Sequence, residues 1–174
     1  MWAIAVSYPF GYGLSYTDFE WSGASVQVGK KETVVSVDLK NEGACAGKDV
    51  VQQYVSAPSG DIDKPVKELR AFAKTGNLAP GESQRITLRI SNSDLASYNE
   101  AKNAWIVDEG EYSFLLGASS RDIRATVTAT VKGDVVKTNA LSFNKYPLKA
   151  NKNGRGGFQT IPPVLHCCPI TSGS

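Results

Sequence analysis

The chain has 174 residues, of which 41% are hydrophobic, and this is enough apolar material for one buried core. A formal net charge of +2 at pH 7 is too small to indicate a nucleic-acid or anionic-membrane partner. No apolar run approaches the roughly 18 residues that span a bilayer, so we expect a soluble protein without a nucleic-acid or membrane partner, and we leave its compartment open.

The beginning of the chain is rich in aromatic residues. Between Tyr8 and Thr17, large apolar side chains fall at every second position, namely Tyr8, Phe10, Tyr12, Leu14 and Tyr16. An extended chain would turn all five to one side, and a contiguous exposed apolar surface usually marks an interface. We therefore predict that residues 1–18 form a junction segment through which the chain packs against another domain.

Short β-type runs separated by turn residues follow from residue 19 to about residue 131, and no long segment has the 3.6-residue period of a helix. In the clearest run Val35, Val37 and Leu39 alternate with polar residues, as one buried and one solvated face require. Comparable runs cover 48–56, 66–73, 85–90, 112–116 and 123–131. About seven strands in roughly 110 residues predict an all-β, immunoglobulin- or fibronectin type III-like β-sandwich over residues 19–143, with a barrel as the alternative.

Three aromatic residues of the predicted sandwich have candidate roles. Tyr112 opens a strand directly after the turn residue Gly110, and we predict a structural corner in which its hydroxyl bonds to upstream backbone. Trp21 and Trp105 are candidates for contact with sugar, because an exposed indole can stack on a sugar ring. Packing in the core or at an interface is the alternative for both tryptophans, and we favour it.

The acidic residues do not form a pattern typical of catalysis. Hydrolysis of a glycosidic bond needs two carboxyl groups held rigidly on either side of the bond. Asp61 and Asp63 lie in a polar loop, and Asp108, Glu109 and Glu111 surround a turn glycine, so solvated turn positions are expected. We assign no catalytic residue.

Cysteine and histidine are too few for a metal site or a disulfide framework. The three cysteines are Cys45, Cys167 and Cys168, and the single histidine, His166, precedes the adjacent pair. Zinc sites usually bring ligands from two separated pairs, so we expect no metal and no cofactor. Residues 144–174 combine an Asn-, Lys- and Gly-rich stretch with a proline-broken apolar end, which predicts a flexible tail and a candidate non-native extension.

Several segments, in the same order along the chain, resemble the C-terminal fibronectin type III-like domain of family 3 glycoside hydrolases. Pro9 to Thr17 resembles the junction that leads into that domain. The other similar segments are 46–55, 65–72, 78–83, 95–99, 105–112 and 117–123. At Gln53 the sequence departs from the family, which usually has an aliphatic residue there.

The resemblance implies a β-glucosidase or β-xylosidase parent that hydrolyses β-linked sugars with retention, through an aspartate nucleophile and a glutamate acid/base. In the family both residues precede the junction, in catalytic domains that this chain lacks, so no catalytic position transfers to it. The leading hypothesis is a non-catalytic accessory domain whose partners are the missing catalytic domains. The alternative is a carbohydrate-binding β-sandwich that holds an oligosaccharide through Trp21 or Trp105.

Overall fold

A computed structural model describes residues 6–136, and the predicted tail, 144–174, lies outside the described residues. Within the described part the chain forms ten β-strands and one short 3₁₀ helix, Asn92–Leu95. The strands are β1 (Phe19–Val28), β2 (Glu32–Asn41), β3 (Val50–Ser56), β4 (Glu68–Lys74), β5 (Ser83–Ser91), β6 (Ser97–Asn99), β7 (Ala104–Val107), β8 (Gly110–Gly117), β9 (Ile123–Val131) and β10 (Asp134–Val136). Among these residues no helix is long and apolar enough to cross a membrane.

Seven of these strands form two open antiparallel sheets. One sheet has the strand order β1-β2-β5 and the other has the order β4-β3-β8-β9. The all-β sandwich that the sequence predicts is therefore confirmed. Three short strands make a further sheet of order β10-β7-β6, which the sequence did not predict.

The core lies between the two main sheets, and the alternation of the strands explains its composition. Val35, Val37 and Leu39 of β2 are almost completely buried, whereas the residues between them are partly exposed. Strands β5 and β8 contribute Ile86, Leu88, Ile90, Tyr112, Phe114 and Leu116 in the same way. Strands β2, β5 and β8 thus turn every second side chain to the core.

Strand β9 repeats this pattern more weakly. Its inward-facing residues Ala125, Val127 and Ala129 are only partly buried against the core, although Val131 is fully buried. The position of β9 explains the difference, because it is the edge strand of the four-stranded sheet.

Candidate docking surface and aromatic pair

The five predicted interface side chains of the junction segment lie at the surface. Their exposed fractions range from 47% for Tyr12 to 99% for Tyr16. The chain is not fully extended here, because the Tyr12 N–H donates to the Pro9 carbonyl at 3.0 Å and closes a turn. The extended backbone that the alternation of apolar residues assumed is therefore wrong for this segment. The turn brings the rings of Tyr8 and Tyr12 to a centroid distance of 5.3 Å.

The backbone of this segment is bound to the four-stranded sheet even though its side chains are exposed. The Ser120 N–H donates to the Phe10 carbonyl at 2.9 Å. Nε2 of Gln52 donates to the Gly11 carbonyl at 3.0 Å. Gly11 has φ +76°, and a side chain there would clash with the Gln52 amide, so the approach requires glycine. The exposed side chains are thus presented by a backbone that is held in place.

The last residues of the predicted junction pack as part of the sandwich. Thr17 is buried, and its hydroxyl donates to Oδ1 of Asn41 at 2.6 Å. The amide group of Asn41 donates to the carbonyls of Cys45 and Leu78 at 2.8 and 2.9 Å. This network ties the segment to the end of β2 and to the two loops around it.

Phe72 of β4 extends the exposed apolar surface. It is 70% exposed, and it is the Cα partner of Gln52 across β3 and β4. Directly opposite residues in an antiparallel pair turn to the same face of the sheet. Phe72 therefore lies on the outer face, beside the amide that contacts Gly11, and sequence analysis did not single it out.

Trp21 is turned towards the core. It is the Cα partner of Leu39, and its ring packs against the core cluster. Its indole nitrogen is buried and, among the described residues, makes no hydrogen bond of ordinary geometry. The pKa of the Asp49 carboxyl is raised by burial. The Val50 N–H and the Trp21 indole oppose this rise, because both favour the ionised carboxylate. This position does not favour stacking on a sugar.

Trp105 lies at the surface beside Tyr98, its Cα partner across β6 and β7. Both side chains are 42% exposed, and their ring centroids are 5.5 Å apart at an interplanar angle of 58°. Arg70 and Asp94 line the shallow depression next to Trp105, whose volume is about 380 Å³. Arg70 is the extra residue of a β-bulge in β4, since Gln53 pairs with Ala71 and Tyr54 with Leu69. Tyr98 was not among the predicted site residues.

Tyr112 is fully buried at the start of β8, and its hydroxyl donates to the Asp108 carbonyl at 3.0 Å. Burial, together with the Asp108 charge, raises the pKa of this phenol, so it stays a hydrogen-bond donor at neutral pH. The role of Tyr112 as a structural corner, and the contribution of this bond to stability, stay predictions.

Seven acidic residues of the described part form ion pairs with lysine or arginine. Asp61 accepts from Lys102 at 2.7 Å, and Lys64 contacts Asp108. The hydrogen bond from Lys102 lowers the pKa of Asp61, which makes that carboxyl a poor general acid. Within residues 6–136, no group of three or more His, Cys, Asp or Glu residues is placed to hold a metal ion.

Comparison with known proteins agrees with this fold. The family described as "Fibronectin type III-like domain" matches residues 49–120. β-Glucosidase A of Butyrivibrio fibrisolvens is 46% identical over 68% of this chain and 17% of its own length. The thermostable β-glucosidase B of Acetivibrio thermocellus is 42% identical over 72% of this chain and 18% of its own. The structure of β-glucosidase 3B from Thermotoga neapolitana in complex with glucose has a TM-score of 0.72, with 46% identity, 76% of this chain covered and 18% of that one.

The fold and the matched residues define a fibronectin type III-like β-sandwich domain. A further structural match, to a family 3 β-glucosidase of Bifidobacterium adolescentis, has a TM-score of 0.70 and 37% identity, with 75% of this chain and 19% of that chain covered. The chain is similar to the fibronectin type III-like domain of family 3 glycoside hydrolases, as its resemblance predicted. It spans less than a fifth of the length of the relatives named here.

Proposed function

We propose that this chain is a non-catalytic accessory domain of a β-glucosidase-type glycoside hydrolase. It stabilises the catalytic domains by docking on them through the junction segment and Phe72. The observation that carries the proposal is a set of exposed apolar side chains on a backbone that is hydrogen-bonded to the sandwich. A domain that functioned alone would leave this surface in water.

The free energy available from this surface is considerable. Each aromatic side chain can bury about 150 to 250 Å², and burial contributes about 25 cal/mol per Å². Burial of only about a third of this area on Tyr8, Phe10, Tyr12 and Phe72 would contribute several kcal/mol against a complementary apolar surface. That contribution is a large fraction of the stability of an ordinary domain.

A chimaera tests the docking role. Residues 6–136 replace the matching segment of a family 3 β-glucosidase, and Tyr8, Phe10, Tyr12 and Phe72 are changed to serine in one version. We expect the serine version to melt several degrees below the unchanged chimaera and to lose aryl β-glucoside hydrolysis in parallel, since the lost contacts hold the domains together. The isolated chain should hydrolyse no aryl β-glucoside and should melt alike with and without the four changes.

The matched control changes exposed valines elsewhere, Val28→Ser and Val135→Ser, and should leave the chimaera unaffected. A serine version as stable and as active as the unchanged chimaera would contradict docking through this surface. Turnover by the isolated chain, after rigorous removal of host glycosidases, would contradict the non-catalytic role.

The Tyr98–Trp105 pair supports a second candidate function, the binding of an oligosaccharide. Two neighbouring exposed rings can each stack on an apolar sugar face, while Arg70 and Asp94 supply partners for hydroxyl groups. We expect cello-oligosaccharides to change the tryptophan fluorescence of the chain saturably, and Trp105→Ala to abolish the change. The control Phe72→Ala removes an exposed aromatic from another surface and should bind as the unchanged chain does. A titration without saturation would rule this function out.

A further inference from the structure

Gln52 lies on the outer face of the four-stranded sheet, yet it is only 5% exposed. It is a central residue of this sheet, with Phe72 as its Cα partner on β4 and Gly117 on β8. The outer face of a sheet is ordinarily solvated, and the neighbour Phe72 is indeed exposed. Because Gly11 lies directly against the amide of Gln52, the junction segment covers this side chain.

The contacts of Gln52 use its donors and its acceptor together. Nε2 donates to the Gly11 carbonyl at 3.0 Å and to the Ala118 carbonyl at 2.8 Å, and Oε1 accepts from the Tyr54 hydroxyl at 2.7 Å. Only a side-chain amide offers two donors on one atom beside an acceptor in this geometry. A carboxylate of the same length would place negative charge against two carbonyl oxygens.

A second set of contacts holds the same segment from the loop between β8 and β9. The Ser120 N–H donates to the Phe10 carbonyl, and Lys67 donates to the Ser120 carbonyl. The Lys67 ammonium also lies 5.5 Å from the ring centroid of Tyr54, the residue that donates to Gln52. Phe10 and Gly11 are therefore held by two connected routes, one through Ser120 and one through Gln52.

The adjacent residue Gln53 is a natural comparison for Gln52. It has the same side chain but faces the core, and among the described residues neither of its amide atoms has a hydrogen-bond partner. Burial alone therefore does not explain the bonds of Gln52. They arise because the junction segment crosses the sheet at this residue.

We propose that Gln52 is a positioning residue that locks the junction segment onto the sheet, so that the docking surface is formed before its partner arrives. Its relevance to docking rests on the proposed function, but the lock itself does not. A segment ordered in advance has little conformational entropy left to lose when it binds. The lock thus favours association without adding any contact to the partner.

Hydrogen exchange of the whole chain tests the lock. Gln52→Glu removes both donations at pH 7, and we expect the protection factor of the Ser120 amide to fall at least tenfold while core amides such as those of Leu39 and Phe114 keep theirs. Protonation of the new carboxyl at low pH restores one donor, so part of the Ser120 protection should return. A merely structural loss of stability would lower protection throughout the chain and would not reverse in this way.

Gln27→Glu is the matched control, because it makes the same change at an exposed position and should leave Ser120 protected at every pH. If Gln52→Glu does not fold, Tyr54→Phe removes only the bond to Oε1 and should release the segment to a smaller extent. Unchanged Ser120 protection in these variants at pH 7 would overturn the proposal.

The chimaera separates failure of the lock from failure of the proposed function. Gln52→Glu should lower the melting temperature of the chimaera by more than that of the isolated chain. If Ser120 exchanges faster but the chimaera loses no more stability than the isolated chain, the lock stands and docking through this segment is wrong. If Ser120 stays protected, the lock is wrong whatever the chimaera does.

Discussion

Replacing Asn41 with alanine is expected to lower the free energy of unfolding by about 3 kcal/mol or more. The side chain is completely buried and takes part in four hydrogen bonds. Its Oδ1 accepts from the Thr17 hydroxyl and the Gly43 N–H, and its Nδ2 donates to two carbonyls. Alanine would leave these groups without their partner in the buried interior, and each unsatisfied buried group costs about 1 to 3 kcal/mol.

Denaturant unfolding of residues 6–136 measures this loss. Lys40→Ala is the control, because it truncates the preceding exposed side chain and should change the stability by no more than about 0.5 kcal/mol. An Asn41→Ala variant within 1 kcal/mol of the unchanged chain would show that water or local rearrangement satisfies the abandoned groups.

Gln53→Met is expected to raise the free energy of unfolding by about 2 kcal/mol, the opposite direction to Asn41→Ala. The Gln53 side chain is completely buried between Val51 and Val55 on the core face of β3, and no described residue bonds to its amide. Methionine has a similar length and lacks the polar amide, so the desolvation cost is removed without leaving a cavity. We expect the melting temperature to rise by about 5 to 10 °C.

The same substitution one residue earlier provides the control. Gln52→Met removes three satisfied hydrogen bonds and should destabilise the chain, although the residue type, the strand and the new side chain are identical. Two measured changes of the same sign would contradict the assignment of the two glutamines to opposite faces of β3.

The long strands were predictable because each buries one face. In β2 the apolar residues at Val35, Val37 and Leu39 keep a period of two, which sequence alone reveals. The sheet of β6, β7 and β10 was not predictable, because strands of three or four residues are too short to show a period. Their pairing depends on neighbours brought together by the fold.

The residues with the largest expected effects were hidden for a related reason. Asn41 reads as the polar residue that ends a strand, and its partners Thr17 and Leu78 are 24 and 37 residues away along the chain. At Gln53 only the departure from the family pattern gave a signal, and nothing near Gln52 indicates that the junction segment, 41 residues upstream, covers it. Local pattern predicts which strands form but not which distant segment covers them.

The direction of Trp21 follows from register, which sequence analysis also could not supply. Pairing with Leu39 turns the indole to the core, whereas the pairing of Tyr98 with Trp105 leaves both of those rings at the surface. One tryptophan therefore packs in the core and the other lies at the surface, although their local sequences do not distinguish them.

The contact between Gly11 and Gln52 also bears on how such domains are exchanged between genes. A recombination break at Phe19, where the first strand begins, would separate Thr17 from Asn41 and the glycine from its amide. The transferred sandwich would then keep the buried side chains of Asn41 and Gln52, while their partners Thr17 and Gly11 stayed behind in the original gene. We therefore expect a tolerated recombination break to lie before Pro9, so that the segment and the sandwich that holds it are inherited together.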